Sequence, residues 1–191
     1  SFRTIMYRFE NNPRLGIAGG NIVEFHGGKR AMRIKSLNSV AGAVQLFSKK
    51  CFNEVGDFQP YEYGGEDAAV EITARMKGWE VRTFPEIEVI HHGFVGGKNV
   101  FRNRFRNGIQ FYLLGYHPVF HVLRCLFRLR ERPLFAGTLI EIYGYLHGYI
   151  KFKKSLLPPE VVQFLRREQM VRLKEFFMPG KSSSIKDQIS Y

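Results

Sequence analysis

The sequence has only two cysteines, Cys51 and Cys125, and a single tryptophan among its 191 residues. Two cysteines cannot build the disulfide framework of a small secreted domain, and they cannot supply a four-ligand zinc site. Both are therefore expected to be reduced structural thiols in a reducing compartment. Long hydrophobic runs are absent too, because no stretch reaches the roughly 18 uninterrupted apolar residues of a confident membrane span.

The signatures of a self-contained nucleotide site are also missing. The chain contains no Asp-x-Asp, no G-x-G-x-x-G and no G-x-x-x-x-G-K-[ST]. It lacks an HExxH metal motif as well. Nothing in the sequence is therefore expected to hold a nucleotide diphosphate by itself.

Positive charge and aromatic side chains are abundant. The formal net charge is +12, and Phe, Trp and Tyr make up 15% of the residues. Residues 1–97 hold 12 Lys/Arg against 11 Asp/Glu, whereas residues 98–191 hold 17 against 6. The second half is therefore expected to meet an acidic partner, and anionic lipid, nucleic acid and a phosphorylated substrate all remain open.

Hydrophobic periodicity predicts alternating strands and helices in the first half, which favours an α/β layer structure. Helices are predicted over 2–10, 48–55 and 66–77, and strands over 15–18, 81–84 and 87–90, with 29–39 as a loop. The second half predicts four successive helices, over about 98–114, 118–130, 134–152 and 159–177. We expect a first domain at 1–97, a basic helical extension at 98–180 and a disordered tail at 181–191.

The run Gly64-Gly65-Glu66-Asp67 is the sharpest local feature. Two glycines allow the backbone to approach a ligand closely, and two carboxylates then open a helix, where the helix dipole favours negative charge. Taken alone, the run also fits a charged first turn that only stabilises the helix. A glycosidase pair is excluded, because adjacent helical side chains point about 100° apart and cannot flank one bond.

Two adjacent histidines, His91 and His92, follow an apolar strand. Strand alternation sends the two rings to opposite faces, so at most one of them faces a given site. An isolated pair of this kind also fits a structural or exposed role.

Three basic groups in the second half are set among aromatic and leucine residues. They are Arg102, Arg104 and Arg106; Arg124, Arg128, Arg130 and Arg132; and Lys151, Lys153 and Lys154. On helices this pattern is typical of interfacial membrane segments, although a solvated charged face fits each stretch separately. Residues 134–150 are mostly apolar but include Glu141 and His147, which predicts an in-plane or packed helix rather than a span.

Five motifs, in order, resemble the family 2 glycosyltransferases. They are Asn12 to Gly20; Val40-Ala41-Gly42-Ala43; Cys51-Phe52 with Val55-Gly56-Asp57-Phe58; Gly64-Gly65-Glu66-Asp67 with Ala74-Arg75 and Gly78-Trp79; and Val89-Ile90-His91-His92-Gly93. The first resembles the segment that follows the family's metal-binding Asp-x-Asp. The others resemble its "GA…F…VGGF", "GGED…AR..GW" and "v-i-H-h" motifs, with Asp57 where a second Gly is usual. The match covers about residues 9–97.

The resemblance implies the C-terminal, acceptor-binding portion of a GT-A fold that performs inverting transfer from a nucleotide sugar. Asp67 would be the general base, and Glu66 would help to place the acceptor. His91 would complete the Asp-x-Asp site for Mg²⁺ or Mn²⁺. The residues expected to line or support the acceptor pocket are Gly42, Ala43, Gly64, Gly65 and Trp79.

Because the nucleotide-binding half is missing from this sequence, we expect no transfer by this chain alone. No Q-x-x-R-W follows the histidines, so the resemblance implies a single-addition enzyme rather than a processive synthase. We expect a glycan or lipid-linked acceptor of cell-envelope polysaccharide synthesis, and contact with an anionic membrane through 98–180 at its cytoplasmic face. Two alternatives stay open: a non-catalytic basic module for membrane or nucleic acid, although no nucleic-acid signature is present, and a chain that pairs with another chain or with itself.

Overall fold

The chain divides into two compact units. The computed structural model describes residues 2–26, 29–33, 36–56, 60–91, 99–129 and 134–178. Within these residues, the sheet unit contains the strands and the first three helices, and the helical unit contains residues 60–65 with the last four helices. The expected tail at 181–191 lies outside the described residues, as does His92.

The sheet unit confirms the helices predicted for the first half. Its elements are α1 (Phe2–Asn11), β1 (Leu15–His26), β2 (Lys29–Arg33), a 3₁₀ turn (Gly42–Val44), β3 (Leu46–Phe47), α2 (Lys49–Val55), α3 (Glu66–Met76) and β4 (Glu80–His91). The Ser48 hydroxyl caps α2 by accepting the Cys51 N–H. After α3, Gly78 adopts a φ of 85°, the left-handed conformation typical of a residue that ends a helix.

The central strand of the sheet is β1. It pairs in antiparallel fashion with β2 and β3, and in parallel fashion with β4 from Leu15 to Glu24. The whole of β1 from Leu15 to Glu24 is buried, as expected for a strand covered on both faces. The fold is therefore a mixed α/β arrangement with a four-stranded sheet.

Two strand predictions and one loop prediction are wrong. Strand β1 does not end before Gly19-Gly20 but passes through both glycines. Glycine is needed there because the Val40 side chain and the Ile87 carbonyl occupy the space that Cβ atoms would take. The predicted loop at 29–39 contains β2 instead. The two short strands around Pro85 are one strand, whose pairing with β1 shifts register there, where proline has no N–H to donate.

Apolar clusters lie on the two faces of the sheet. Successive residues Ile17 and Ala18 of β1 belong to different clusters, as the alternation of a strand requires. The first cluster joins β1 and β4 to α2 and α3 through Ile17, Val40, Cys51, Val70, Ala74 and Val81. The second joins the strands to α1 through Ile5, Leu15, Ala18, Phe84 and Ile87.

The helical unit confirms the four helices predicted for the second half. They are α4 (Val100–Leu113), α5 (Pro118–Phe127), α6 (Leu134–Lys151) and α7 (Pro159–Phe177). The backbones of α4 and α6 touch, because a Cβ on Gly108 would meet the Glu141 carbonyl oxygen and one on Gly144 would meet the Phe105 carbonyl oxygen. Among the described residues, these helices included, no helix combines the length and the hydropathy needed to cross a bilayer.

Candidate functional site

The acidic pair of the sequence opens α3. Glu66 is the first residue of the helix and Asp67 the second, and both are half-buried. Gly64 and Gly65 precede them with φ values of 78° and 103°, which only glycine adopts without strain. A Cβ on Gly65 would also lie 2.6 Å from Nε2 of Gln110. The two glycines thus belong to the helical unit, whereas the two carboxylates belong to the sheet unit.

A glycine of the 3₁₀ turn lies against the Asp67 carboxylate. A Cβ on Gly42 would lie 2.9 Å from Oδ2 of Asp67 and 3.0 Å from its Cβ. Gly42 and Ala43 are exposed, so bare backbone rather than a side chain borders the carboxylate on this side. The Ala68 N–H donates to Oδ1 of Asp67 at 2.9 Å. Oδ2 is therefore the oxygen beside Gly42, and two segments that the resemblance assigns to one site meet here.

Glu71, one turn beyond Asp67 on α3, holds the segment that carries Gly42. Its Oε1 accepts the Val40 N–H at 2.6 Å and the Gln45 side-chain amide at 2.9 Å. The same Gln45 amide lies 3.4 Å from the Asp67 carbonyl oxygen. Because Val40 and Gln45 flank Gly42 in the chain, these bonds fix the approach of the 3₁₀ turn to Asp67.

Burial governs the ionisation of Glu71, which is 3% exposed. Burial raises the pKa of Glu71 to about 7, although the Val40 N–H and the Arg75 charge act in the opposite direction. The Arg75 guanidinium is 3.9 Å from Oε2 of Glu71, which is long for an ion pair. Ionisation of this carboxyl near neutral pH is therefore coupled to the packing of the Gly42 segment.

Trp79 is partly buried and packs against the core of the sheet unit, beyond the end of α3 that is far from Asp67. Its ring packs against the first apolar cluster, and its indole N–H donates to the Glu54 carboxylate at 2.8 Å. A Cβ on Gly16 would lie 2.7 Å from Cβ of Trp79. Trp79 follows the C-terminal end of the 11-residue α3, so about 15 Å of helix separates it from the Asp67 end. The structure thus assigns Trp79 a supporting place.

His91 is the last residue of β4, and the structure describes its backbone but not its side chain. Its Cα pairs in register with that of Glu24 on β1, and the Glu24 side chain is buried. Because the two strands are parallel, both positions lie toward their carboxyl ends, where α/β sheets commonly bind ligands. Imidazole nitrogen and carboxylate oxygen are ligand types suited to Mn²⁺. The backbone pairing therefore places His91 and Glu24 side by side at this end of the sheet.

A second group of ligand-type side chains lies in the helical unit. His121, Cys125 and Glu141 are buried, and their donor atoms lie within 4.8 Å of one another. Both Glu141 oxygens, however, accept guanidinium hydrogens at 2.9 Å, from Arg124 and Arg104. Two guanidinium cations at this carboxylate would repel a dication, and burial raises the pKa of Cys125 to about 12, which disfavours the thiolate that metals require. We attribute the group to the packing of α5 and α4 against α6.

Glu71 and Gln45 were not among the residues predicted from the sequence. One signal was present, since Glu71 stands between apolar Val70 and Ile72 on α3, and a carboxyl on the core side of a helix must find donors. The donor itself, the Val40 N–H, cannot be deduced from spacing, because only the tertiary fold brings it to the helix.

Comparisons with known proteins give no relative for this chain. No protein-family model matches it, and neither the curated proteins nor the solved structures contain a match. Its function must therefore be inferred from the residues and their geometry.

Proposed function

We propose that the sheet unit is the acceptor-binding half of a GT-A-type, inverting family 2 glycosyltransferase, with Asp67 as the general base. The observation that carries this proposal is the contact between Gly42 and the Asp67 carboxylate. Both residues belong to motifs that resemble that family, and the fold joins the two motifs at an exposed backbone. A carboxylate at a helix N-terminus beside open backbone suits a base that must reach a substrate hydroxyl.

The reaction is a displacement at the anomeric carbon of a nucleotide sugar. The proton of the acceptor hydroxyl passes to Oδ2 of Asp67 while the hydroxyl oxygen bonds to the anomeric carbon. The bond from that carbon to the diphosphate oxygen breaks, and the nucleoside diphosphate leaves with the bonding electrons. Attack opposite the leaving group inverts the configuration of the sugar.

The residues around Asp67 direct its carboxylate. The Ala68 N–H holds Oδ1, and the helix dipole favours the negative charge. Gly42 brings no side chain of its own to Oδ2, which favours the approach of a hydroxyl from that side. Glu66, the first residue of the same helix, would help to place the acceptor.

The sequence has no Asp-x-Asp, so transfer requires a nucleotide-binding half that supplies one. Mg²⁺ or Mn²⁺, held by that motif and His91, would neutralise the charge that develops on the leaving diphosphate. This chain would supply the base, the acceptor surface and one imidazole ligand.

The acceptor that we propose is a glycan or a lipid-linked saccharide of the cell envelope, reached at the cytoplasmic face of a membrane. The support is the charge of residues 98–191, with 17 Lys/Arg against 6 Asp/Glu. Each cation near an anionic surface contributes about 1 kcal/mol of attraction. A basic half of this kind would favour binding of the chain to an anionic membrane surface.

The test is a transfer assay in which this chain is supplied with an Asp-x-Asp half and a panel of nucleotide sugars. We expect transfer that depends on added Mg²⁺ or Mn²⁺ and a product of inverted anomeric configuration, read by NMR. The chain without that half serves as the control and should be inactive. Transfer by the control, or a product with retained configuration, would contradict the proposal.

A further inference from the structure

Five large apolar side chains form a stripe along α6. Successive members are four, four, three and four residues apart, which places them on one side of a helix. Each is between 53% and 83% exposed. This stripe, named here the α6 face, consists of Phe135, Leu139, Tyr143, Leu146 and Ile150.

The opposite side of α6 is fixed, so the α6 face cannot turn inward. Gly144 lies against the Phe105 carbonyl oxygen of α4, with no room for a side chain. On the same side, the Glu141 carboxylate is bonded by Arg104 and Arg124. Breaking a buried ion pair of this kind is strongly unfavourable. The exposure of the α6 face is therefore a consequence of how the helical unit packs.

The charges around the α6 face indicate what covers it. Glu141 is the only acidic residue of α6, and it is 1% exposed, so the α6 face carries no negative charge. The helix ends at Lys151, and exposed Lys153 and Lys154 follow. The adjoining helix α5, whose Cys125 carbonyl accepts the Thr138 hydroxyl of α6, adds exposed apolar residues. These are Val119, Val122, Leu126 and Phe127.

We propose that α6 lies in the plane of an anionic bilayer, with the α6 face among the acyl chains and the lysines at the headgroups. An apolar face edged by cations is the pattern of helices that bind at this interface. A second copy of the chain is a poorer occupant, because it carries the same net charge of +12. Nucleic acid offers phosphates to the lysines but does not bury aliphatic side chains. This assignment rests on the membrane contact proposed above for residues 98–191 and names the surface that makes it, whereas the transferase chemistry of the sheet unit is tested separately.

The experiment measures co-sedimentation of the full chain with vesicles of phosphatidylcholine alone and of phosphatidylcholine with phosphatidylglycerol. We expect binding to the anionic vesicles only. The double variant Leu139→Gln, Leu146→Gln should bind at least about tenfold more weakly, because both side chains leave the acyl region. The matched control, Phe2→Gln with Met6→Gln, replaces exposed apolar residues of α1 and should bind as the parent chain does. Circular dichroism checks that all variants keep their helices.

A fluorophore gives a second readout, taken at the α6 face itself. Cys51 and Cys125 are buried, so a cysteine introduced by Leu146→Cys can be labelled selectively with an environment-sensitive dye. Its emission should shift to the blue with anionic vesicles, whereas the same label at Met6→Cys should not respond. Equal binding of the Gln variants and the parent chain, or no shift at position 146, would overturn the inference. Dimers formed through the α6 face without vesicle binding, or DNA binding without vesicle binding, would overturn it as well.

Discussion

Replacement of Glu71 by Gln tests the link between a buried carboxyl and the Gly42 segment. Glu71→Gln keeps the shape of the side chain and an oxygen that can accept the Val40 N–H and the Gln45 amide. It removes the ability to ionise and places an amide NH₂ where Oε2 faces the Arg75 guanidinium. Because the arginine stays charged, this second change is the same at every pH. We expect the variant to hold the segment as the parent chain does, but without the pH dependence that the carboxyl imposes.

The magnitude follows from the pKa of Glu71, which burial raises from 4.5 to about 7. Between these values the folded state binds more protons at this site than the unfolded state, so stability falls as the pH rises. The contribution is fully present below pH 4.5 and is lost by about pH 7. A pKa about 2.5 above its usual value corresponds to about 3 kcal/mol of unfolding free energy.

Urea unfolding at several pH values, followed by tryptophan fluorescence, measures this effect. Trp79 is the single tryptophan and packs against the core of the sheet unit, so its emission reports the unit that contains Glu71. The unfolding free energy of Glu71→Gln minus that of the parent chain should rise by about 3 kcal/mol between pH 4.5 and 7. The exposed Glu10→Gln serves as the control and should show little change. Parallel profiles for Glu71→Gln and the parent chain would refute the assigned burial and its consequence.

Two further substitutions probe the close contacts of glycine. Gly42→Ala would place a Cβ 2.9 Å from Oδ2 of Asp67, so transfer with the Asp-x-Asp half should fall at least about tenfold while the urea midpoint changes little. The exposed Asn53→Ala of α2 is the control, and undiminished transfer by Gly42→Ala would contradict the placement. Gly144→Ala would force α6 away from the Phe105 carbonyl of α4 and should lower the unfolding free energy of the helical unit by about 2–3 kcal/mol. Circular dichroism measures this loss, with the exposed Ala136→Ser as the control. Equal stability of Gly144→Ala and the parent chain would show that the two backbones are not in contact.

Local signals predicted the helices well because the residues at the two ends of a helix largely determine where it begins and ends. The prolines at the start of α7 and the left-handed Gly78 after α3 mark ends that depend little on the rest of the chain. Strand limits depend on neighbours that are distant in sequence. Glycine at 19 and 20 marks a turn when only its neighbours in the chain are considered, but in β1 it makes room for Val40 and Ile87.

The candidate site divides in the same way. The acidic turn of α3 could be predicted from its residues alone, and the resemblance to glycosyltransferases added Gly42 and His91. Spacing could not predict that Gly42 contacts the Asp67 carboxylate or that Glu71 bonds to the segment that carries Gly42. Both contacts join α3 to a segment that precedes it by more than twenty residues. Trp79, which the resemblance expects to line or support the acceptor pocket, packs against the first apolar cluster, and spacing alone could not predict that contact.

The most direct measurement of the central claim is single-turnover transfer by Asp67→Asn, with the Asp-x-Asp half present and the nucleotide sugar bound beforehand. If Asp67 Oδ2 accepts the hydroxyl proton, the rate of the chemical step should fall by about 10²–10⁴-fold while the donor dissociation constant stays unchanged. A rate equal to that of the unsubstituted chain, with the donor bound equally well, would show that another group is the base.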